Sequence, residues 1–492
     1  MNRRLGFATL DELPPSLRPQ LDPHALDVGI VHLGLGAFHR AHQAVYTQAA
    51  MIATGETSWG ICGVTQRSRD VLEQLQPQDG LYSVLERGSQ TRARLLVPLR
   101  ESLFAKTQSA EVVSRIAAAN TRVVTVTVTE KGYRRDPSSG RLNADDAETR
   151  ADADGRPPLT VVGQLFRGLQ RRRRDGGGPV TVLCCDNLPS NGRALRQLVE
   201  DFSALAGQPG DDGWIADNVR FPSTMVDRIV PATTEADVRD AAALLGVDDF
   251  GVVATEPFSQ WVIEDDFAAA RPSWEAAGAV VTADVSPYEA MKLRLLNGSH
   301  SALAYLGVLA GYDLVADFVE VDEVAGFVAA LMDADVSPTL VVPAEFDLAD
   351  YKTQLMRRFG NRALGHRLTQ IAMDGSQKLP QRLVGVVRER LAAGASPRRA
   401  ALAIAGWMRY VSARHDDAGR PIVVDDPMAQ VFAARLAEAD APGEVVDALL
   451  GVTEIFGDDA GDNHELRLLL VESLAGLNAR GALATIRDLA AS

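Results

Sequence analysis

The chain has 492 residues, more than a single typical domain, so two domains or a bipartite enzyme are expected. Hydrophobic residues make up 46% and charged residues 23%, a composition that excludes a largely disordered chain. Asp and Glu number 65 against 50 Lys and Arg, and the resulting net charge of −15 argues against a nucleic-acid or anionic-membrane binder, since phosphate binding is carried by a basic surface.

In chain order, the apolar stretch at 5–10 after Arg3 and Arg4 is too short for a signal-peptide core. Residues 28–33 (VGIVHL) form an apolar run closing on glycines, and a helix-like segment follows over about 39–53. Further strand candidates are 59–64, the β-branched run at 122–128, and 179–185, with weaker ones at 252–254 and 280–282. Strands separated by helical stretches indicate a mostly parallel sheet covered on both faces. Segment 134–158 is polar and rich in Asp, Gly and Pro, as a surface excursion would be, and the arginines at 171–174 read as a helix end capped by the glycines that follow. The run at 298–312 includes His300 and is shorter than the roughly 20 residues a membrane span needs. From Pro287 onward the chain is rich in Ala, Leu, Val and Arg at helical spacing. The expected architecture is an α/β Rossmann-type domain over 1–285 and an all-helical substrate-binding and catalytic domain over 286–492, in a cytoplasmic protein.

Gly34-Leu35-Gly36-Ala37-Phe38-His39-Arg40 follows an apolar strand and opens a helix, where a dinucleotide fold places its phosphate loop. Gly34, Gly36, Ala37, Phe38 and Arg40 are the candidate cofactor-binding residues, and His39 stands where the third glycine of the motif would be. After the second strand comes Thr65-Gln66-Arg67-Ser68-Arg69-Asp70, with no acid in its first five positions to hold an adenosine ribose. Arg67 or Arg69 could receive a 2′-phosphate instead, so NAD is expected and NADP stays open.

Lys292, Asn297 and His300 fall near one face of a helix, and a lysine beside amide and imidazole groups in an apolar helix is unusual, because a buried ammonium needs a partner. Asn187 sits just past a parallel strand, where open α/β sheets bind ligands. The three cysteines, Cys62, Cys184 and Cys185, form no CxxC or Cys/His cluster, so no metal site is expected.

Six ordered motifs carry a resemblance. They are Gly34-x-Gly36-Ala37-Phe38-His39-Arg40-Ala41-His42-Gln43, Thr129-Glu130-Lys131-Gly132-Tyr133, Cys185-Asp186-Asn187, the segment from Met225 to Pro231, Glu256-Pro257-Phe258-x-Gln260-Trp261, and Lys292-x4-Asn297-x2-His300. Together, over residues 28–460, the sequence resembles the mannitol dehydrogenase family of metal-independent polyol and sugar-acid dehydrogenases. The resemblance implies Lys292 as the proton-transfer lysine, Asn187 and Asn297 as holders of the substrate oxygen, and His300 as the group that orients the substrate. It further implies Glu289 as a proton gate and Asp227 and Lys378 as contacts to the sugar chain. The chemistry agrees, since a desolvated lysine can take a hydroxyl proton near neutral pH and amide N–H groups stabilise alkoxide character.

The stretch 370–382 looks most like members that reduce fructuronate to mannonate. Mannitol-specific members carry Arg where this chain has Gln370. A hexuronate carboxylate needs a cation, and Lys378, Arg382, Arg367 or His366 could supply it. The first expectation is therefore reduction of D-fructuronate to D-mannonate. The alternatives are a mannitol or arabinitol dehydrogenase and, from another class, a nucleotide-sensing protein without catalysis, against which the Lys292/Asn187/Asn297/His300 set speaks. The partners expected are a sugar acid or polyol and no nucleic acid or membrane. A two-domain chain can enclose its own cleft, so a monomer is expected, with a homodimer as the alternative. Since the cofactor and a uronate are both anions, an acidic protein must offer them a local positive site, for which Arg40, Lys292, Lys378 and the helix N-terminus after Gly36 are the candidates.

Overall fold

The computed structural model describes residues 3–136, 139–207 and 212–491. They form two compact units, 1–286 and 287–492.

The first unit is built on a six-stranded parallel sheet. Its strands are β1 (Val28–Leu33), β2 (Gly60–Thr65), β5 (Leu99–Phe104), β6 (Val123–Val126), β7 (Val180–Cys184) and β8 (Val219–Arg220), in the spatial order β5-β2-β1-β6-β7-β8. The order reverses between β1 and β6, which marks the switch point where this kind of sheet opens a crevice at its carboxyl edge. Alternate residues feed two cores. Ile61 packs into one, while Cys62 and Val64 pack into the other beside Phe166 and Phe202 from the covering helices. Each fully buried aliphatic side chain contributes roughly 1.5–3 kcal/mol of transfer free energy, so a strand apolar on both faces is stable only between two layers.

Two small sheets complete the unit. β3 (Tyr82–Arg87) pairs antiparallel with β4 (Thr91–Leu96) and parallel with β10 (Val253–Thr255). β11 (Gln260–Glu264) pairs antiparallel with β9 (Thr224–Asp227) and parallel with β12 (Val280–Thr282). The weak candidates at 252–254 and 280–282 are thus strands, but of separate sheets. The helix expected from about residue 39 starts at Ala37 and is two helices, Ala37–Ala41 and Gln43–Thr54, broken at His42. The arginine run does end a helix, Val161–Asp175, with Gly176 left-handed at φ 71°. Arg172, however, is buried, with its guanidinium donating to the carbonyls of Ile116, Ala118, Gly178 and Pro179.

The described residues of the second unit are helices joined by turns and loops, the longest of which runs over 413–428. At its centre lies Gly298–Leu309, every residue of it buried, with Arg398–Ser412 packed against it. No helix among the described residues is long and apolar enough to cross a membrane.

Candidate active site

In the first unit, a cavity of about 540 Å³ opens at the carboxyl ends of β1, β2 and β6. Gly34 and Gly36 line it, and Ala37 and Phe38 do not. The two glycines have different jobs. Gly34 has φ +107°, a conformation L side chains rarely adopt, and an added Cβ would lie 1.9 Å from the Thr127 carbonyl oxygen. Gly36 has ordinary extended backbone, and its added Cβ would meet nothing nearer than 3.7 Å, the carbonyl of Gly34. Gly34 therefore lets the loop press against β6, and Gly36 keeps the space beyond it open. A cradle of this kind, at the sheet's switch point, fits a dinucleotide pyrophosphate.

His39 at the missing third glycine stacks on His32 of β1, ring centroids 3.4 Å apart at 12°. The Gly34 carbonyl can only accept, so His32 Nε2 donates to it (3.0 Å) and Nδ1 accepts from the Thr125 hydroxyl (2.8 Å). Burial holds the His32 pKa down to about 3, and His39 lies well below its usual value for the same reason. As pH falls from 6.5 toward 3, the unfolded chain protonates at His32 and the folded one does not, so stability present above 6.5 is lost through that window. The expected slope is about 1.4 kcal/mol per pH unit from this residue. Urea denaturation at pH 7 and pH 5 measures it. His32→Phe, which keeps a ring on His39, shows a slope shallower by that amount. An unchanged slope would mean that His32 titrates normally in the fold.

Arg40, expected at the phosphate, is instead buried. Its guanidinium donates to the Gly251 carbonyl at 2.5 Å and lies over the Tyr82 ring. The helix after Gly36 is only five residues long, so the dipole expected there is small. The supposed surface excursion contributes Arg134 and Glu148 to the cavity wall, and Leu159, Thr160 and Val161, just after it, complete that side. Pro137 and Ser138, within that excursion, lie outside the described residues.

Asp186, at the end of β7, accepts from the backbone amides of Val128 (2.8 Å) and Thr129 (3.2 Å) and from the Tyr133 hydroxyl (2.7 Å). It holds Thr129 at φ 65°, a strained value for a β-branched residue, where the chain turns along the cavity. The neighbouring Asn187 is exposed. Asp227 is buried at the end of β9, opposite Gln260 of β11. Beside it, Arg228 donates to the carbonyls of Ala41 (2.6 Å) and Glu256 and pairs with Glu86 at 2.9 Å. His42 Nε2 meets the Gln260 carbonyl at 2.9 Å, and its ring contacts Trp261. Three of the six sequence motifs are thus bound to each other as scaffold through Arg228 and His42.

In the second unit, Lys292 and His300 are buried and Asn297 is half-buried. Lys292–Asn297 is a π-helical segment, in which the Gly298 amide donates to the Leu293 carbonyl five residues back. In a regular α-helix, at about 100° per residue, positions five apart diverge by roughly 140°. The wider i→i+5 turn brings positions five apart onto one face, as positions four apart are in an α-helix. The shared face expected for Lys292 and Asn297 therefore depends on the π-turn. Glu289 is half-buried, on the preceding helix Ser286–Met291.

The His300 imidazole packs against Phe359 (4.8 Å between centroids) and His366 (5.3 Å), and its buried Nε2 has no hydrogen-bond partner. Burial, then His366, and after it the charges of Arg358 and Arg382, hold its pKa well below the usual value, which favours the neutral ring. His366 is likewise held down to about 4 by burial. Arg382 Nη1 donates to Ser301 Oγ at 3.1 Å and reaches the Asn297 carbonyl at 3.4 Å. Lys378 Nζ donates to the Met373 carbonyl at 2.5 Å and the Ile371 carbonyl at 3.3 Å, while Arg367 and Gln370 are exposed. Arg358, which sequence reasoning missed, had no signal beyond an ordinary place in the amphipathic helix Leu348–Phe359. Among the described residues no group of three or more His, Cys, Asp or Glu is placed to hold a metal ion.

Family models match nearly the whole chain, the mannitol dehydrogenase Rossmann domain over 28–276 and the mannitol dehydrogenase C-terminal domain over 284–477. The chain belongs to the mannitol dehydrogenase family. It is 43% identical to D-mannonate oxidoreductase of Escherichia coli (strain K12) over 479 residues, covering 96% of this chain and 98% of that protein. Identity to mannitol 2-dehydrogenase of Pyrenophora tritici-repentis is 37%, covering 99% of this chain and 86% of that one. Among solved structures, Pseudomonas fluorescens mannitol 2-dehydrogenase, in a ternary complex with NAD and D-mannitol, superposes with a TM-score of 0.89 at 36% identity, covering 99% of each chain. Like those mannitol dehydrogenase family members, the protein is an oxidoreductase built on a Rossmann domain.

Proposed function

We propose that the protein reduces D-fructuronate to D-mannonate, reversibly, with NAD(H) as hydride carrier. The observation that carries the sugar-acid reading is a pair of guanidinium groups near the buried His300: Arg382, whose Nη1 reaches the Asn297 carbonyl at 3.4 Å and Ser301 Oγ at 3.1 Å, and Arg358, whose charge bears on the same imidazole. A neutral polyol has no use for two cations near its orienting imidazole, whereas a carboxylate is matched by them. The 43% identity to a D-mannonate oxidoreductase supports the same choice.

The bound cofactor supplies a hydride to the ketone carbon in reduction and removes it in oxidation. Gly34 and Gly36 would hold its pyrophosphate, with Thr65–Ser68 at its adenosine end. Lys292 gives a proton from its ammonium to the carbonyl oxygen as the hydride arrives at carbon, and takes the hydroxyl proton in the reverse direction. The side-chain amides of Asn187 and Asn297 donate to that oxygen and stabilise its developing negative charge. His300 presents its unpartnered Nε2 to a substrate hydroxyl. Glu289, three residues before Lys292, passes the lysine's proton to and from water. Asp227 binds a hydroxyl of the sugar chain, and Lys378 stiffens the turn between Ile371 and Met373.

An NADH-oxidation assay with fructuronate, tagaturonate, fructose and xylulose side by side tests the reading. Fructuronate is expected to give the highest kcat/KM. Fructose reduced faster than either uronate would replace it with the polyol activity of the mannitol 2-dehydrogenases.

A further inference from the structure

The adenosine end of the cavity carries charge that an NAD site does not need. A ribose with a free 2′-hydroxyl is normally held by an acid following the second strand, whereas a 2′-phosphate is met by an arginine there. Here Thr65 ends β2, and Gln66, Arg67 and Ser68 follow it in the cavity wall. β5 lies parallel beside β2, with Thr65 opposite Phe104, and the Ala105 amide donates to the Thr65 carbonyl at 3.0 Å. That pairing brings Lys106, the next residue, to the same edge, and its side chain also lines the cavity. Among the described residues neither Arg67 nor Lys106 is in an ion pair, although most arginines of this acidic chain are. Among the described residues Glu148 is the only acid in the wall, and it is bound by Arg134. The other candidate in the sequence, Arg69, lies instead over the Phe104 ring and is not part of the wall.

We propose that Arg67 and Lys106 form a 2′-phosphate site, so that the protein accepts NADP(H) as well as NAD(H). The inference rests on the cofactor reading of the cavity. Arg67 supplies a planar fork suited to two phosphate oxygens, and Lys106 adds a point charge from the neighbouring strand end. A dianion meeting two unpaired cations, in a wall whose one printed acid is held by Arg134, gains charge-assisted hydrogen bonds that the 2′-hydroxyl cannot make.

Titration calorimetry with 5′-AMP and 2′,5′-ADP, which differ only in the 2′-phosphate, tests this without catalysis. Wild-type protein is expected to bind 2′,5′-ADP about 10- to 100-fold more tightly at low salt, with the ratio shrinking as salt is raised. In Arg67→Gln and Lys106→Gln the ratio falls toward one, and in kinetic assays the KM for NADPH rises relative to that for NADH. Binding of 5′-AMP with no gain from the 2′-phosphate overturns this proposal and leaves the cofactor reading standing. Failure of both nucleotides to bind overturns the two together.

Discussion

Lys292→Ala is expected to lower turnover of fructuronate by about two to four orders of magnitude while NADH binding survives. That range is what a positioned proton donor supplies in the transition state. Lys292 is buried in a π-helical turn of the second unit, whereas the described residues that line the cavity assigned to the cofactor belong to the first. Truncating the lysine should therefore leave the dinucleotide site intact. Stopped-flow reduction and NADH fluorescence titration on the same preparation separate chemistry from binding. Near-wild-type turnover would take the proton-transfer role away from Lys292, and parallel loss of NADH binding would point to a structural fault.

The glycine loop gives the second large effect, and the two glycines should fail differently. Gly36→Val is expected to fold normally and lose NADH affinity by at least 100-fold. An added Cβ meets nothing nearer than the Gly34 carbonyl at 3.7 Å, so the substituent projects into space on the cavity wall. Gly34→Ala is expected to destabilise the first unit itself, because its Cβ would lie 1.9 Å from the Thr127 oxygen at a φ of +107°. Circular dichroism melts alongside NADH titration read both outcomes. A Gly36→Val protein that melts with the wild type and binds NADH equally well would disprove the phosphate contact.

Legibility in the sequence followed the range of the physics. β1 and the loop at Gly34 were readable because an apolar strand, a left-handed glycine and a helix start are all local. The parallel strands at β6 and β7 announced themselves by continuous β-branched runs, which water would not tolerate on either face. The β3–β4 hairpin was missed, although the Gly88-Ser89-Gln90 turn offered a signal, because charged residues alternate along β4. The wall contributed by Arg134 and Glu148 was unreadable, since the composition around them is that of any polar loop, and residues 159–161 offer only a helix start. Arg40 misled because a basic residue in a phosphate loop suggests charge neutralisation, whereas the Gly251 carbonyl and the Tyr82 ring that receive it are far away in sequence. Lys292 and Asn297 are expected on one face from helical spacing, and it is the extra residue of the π-turn that suits a spacing of five.

By itself the sequence determined the α/β half with its phosphate-loop glycines, the helical half, and the presence of lysine, asparagine and histidine at spacings that suit proton transfer. These depend on local backbone preference and on the period of apolar residues. The tertiary structure alone decided where the charges of an acidic chain are placed. Arg40, Arg172 and Arg228 are spent on backbone carbonyls and ion pairs in the interior, and Lys378 caps a turn. Arg67 and Lys106 are left facing the cavity, and Arg358 and Arg382 act on His300. A cation's role is set by which carbonyl, ring or carboxylate folding brings within about 3 Å of it, and those partners come from distant parts of the chain.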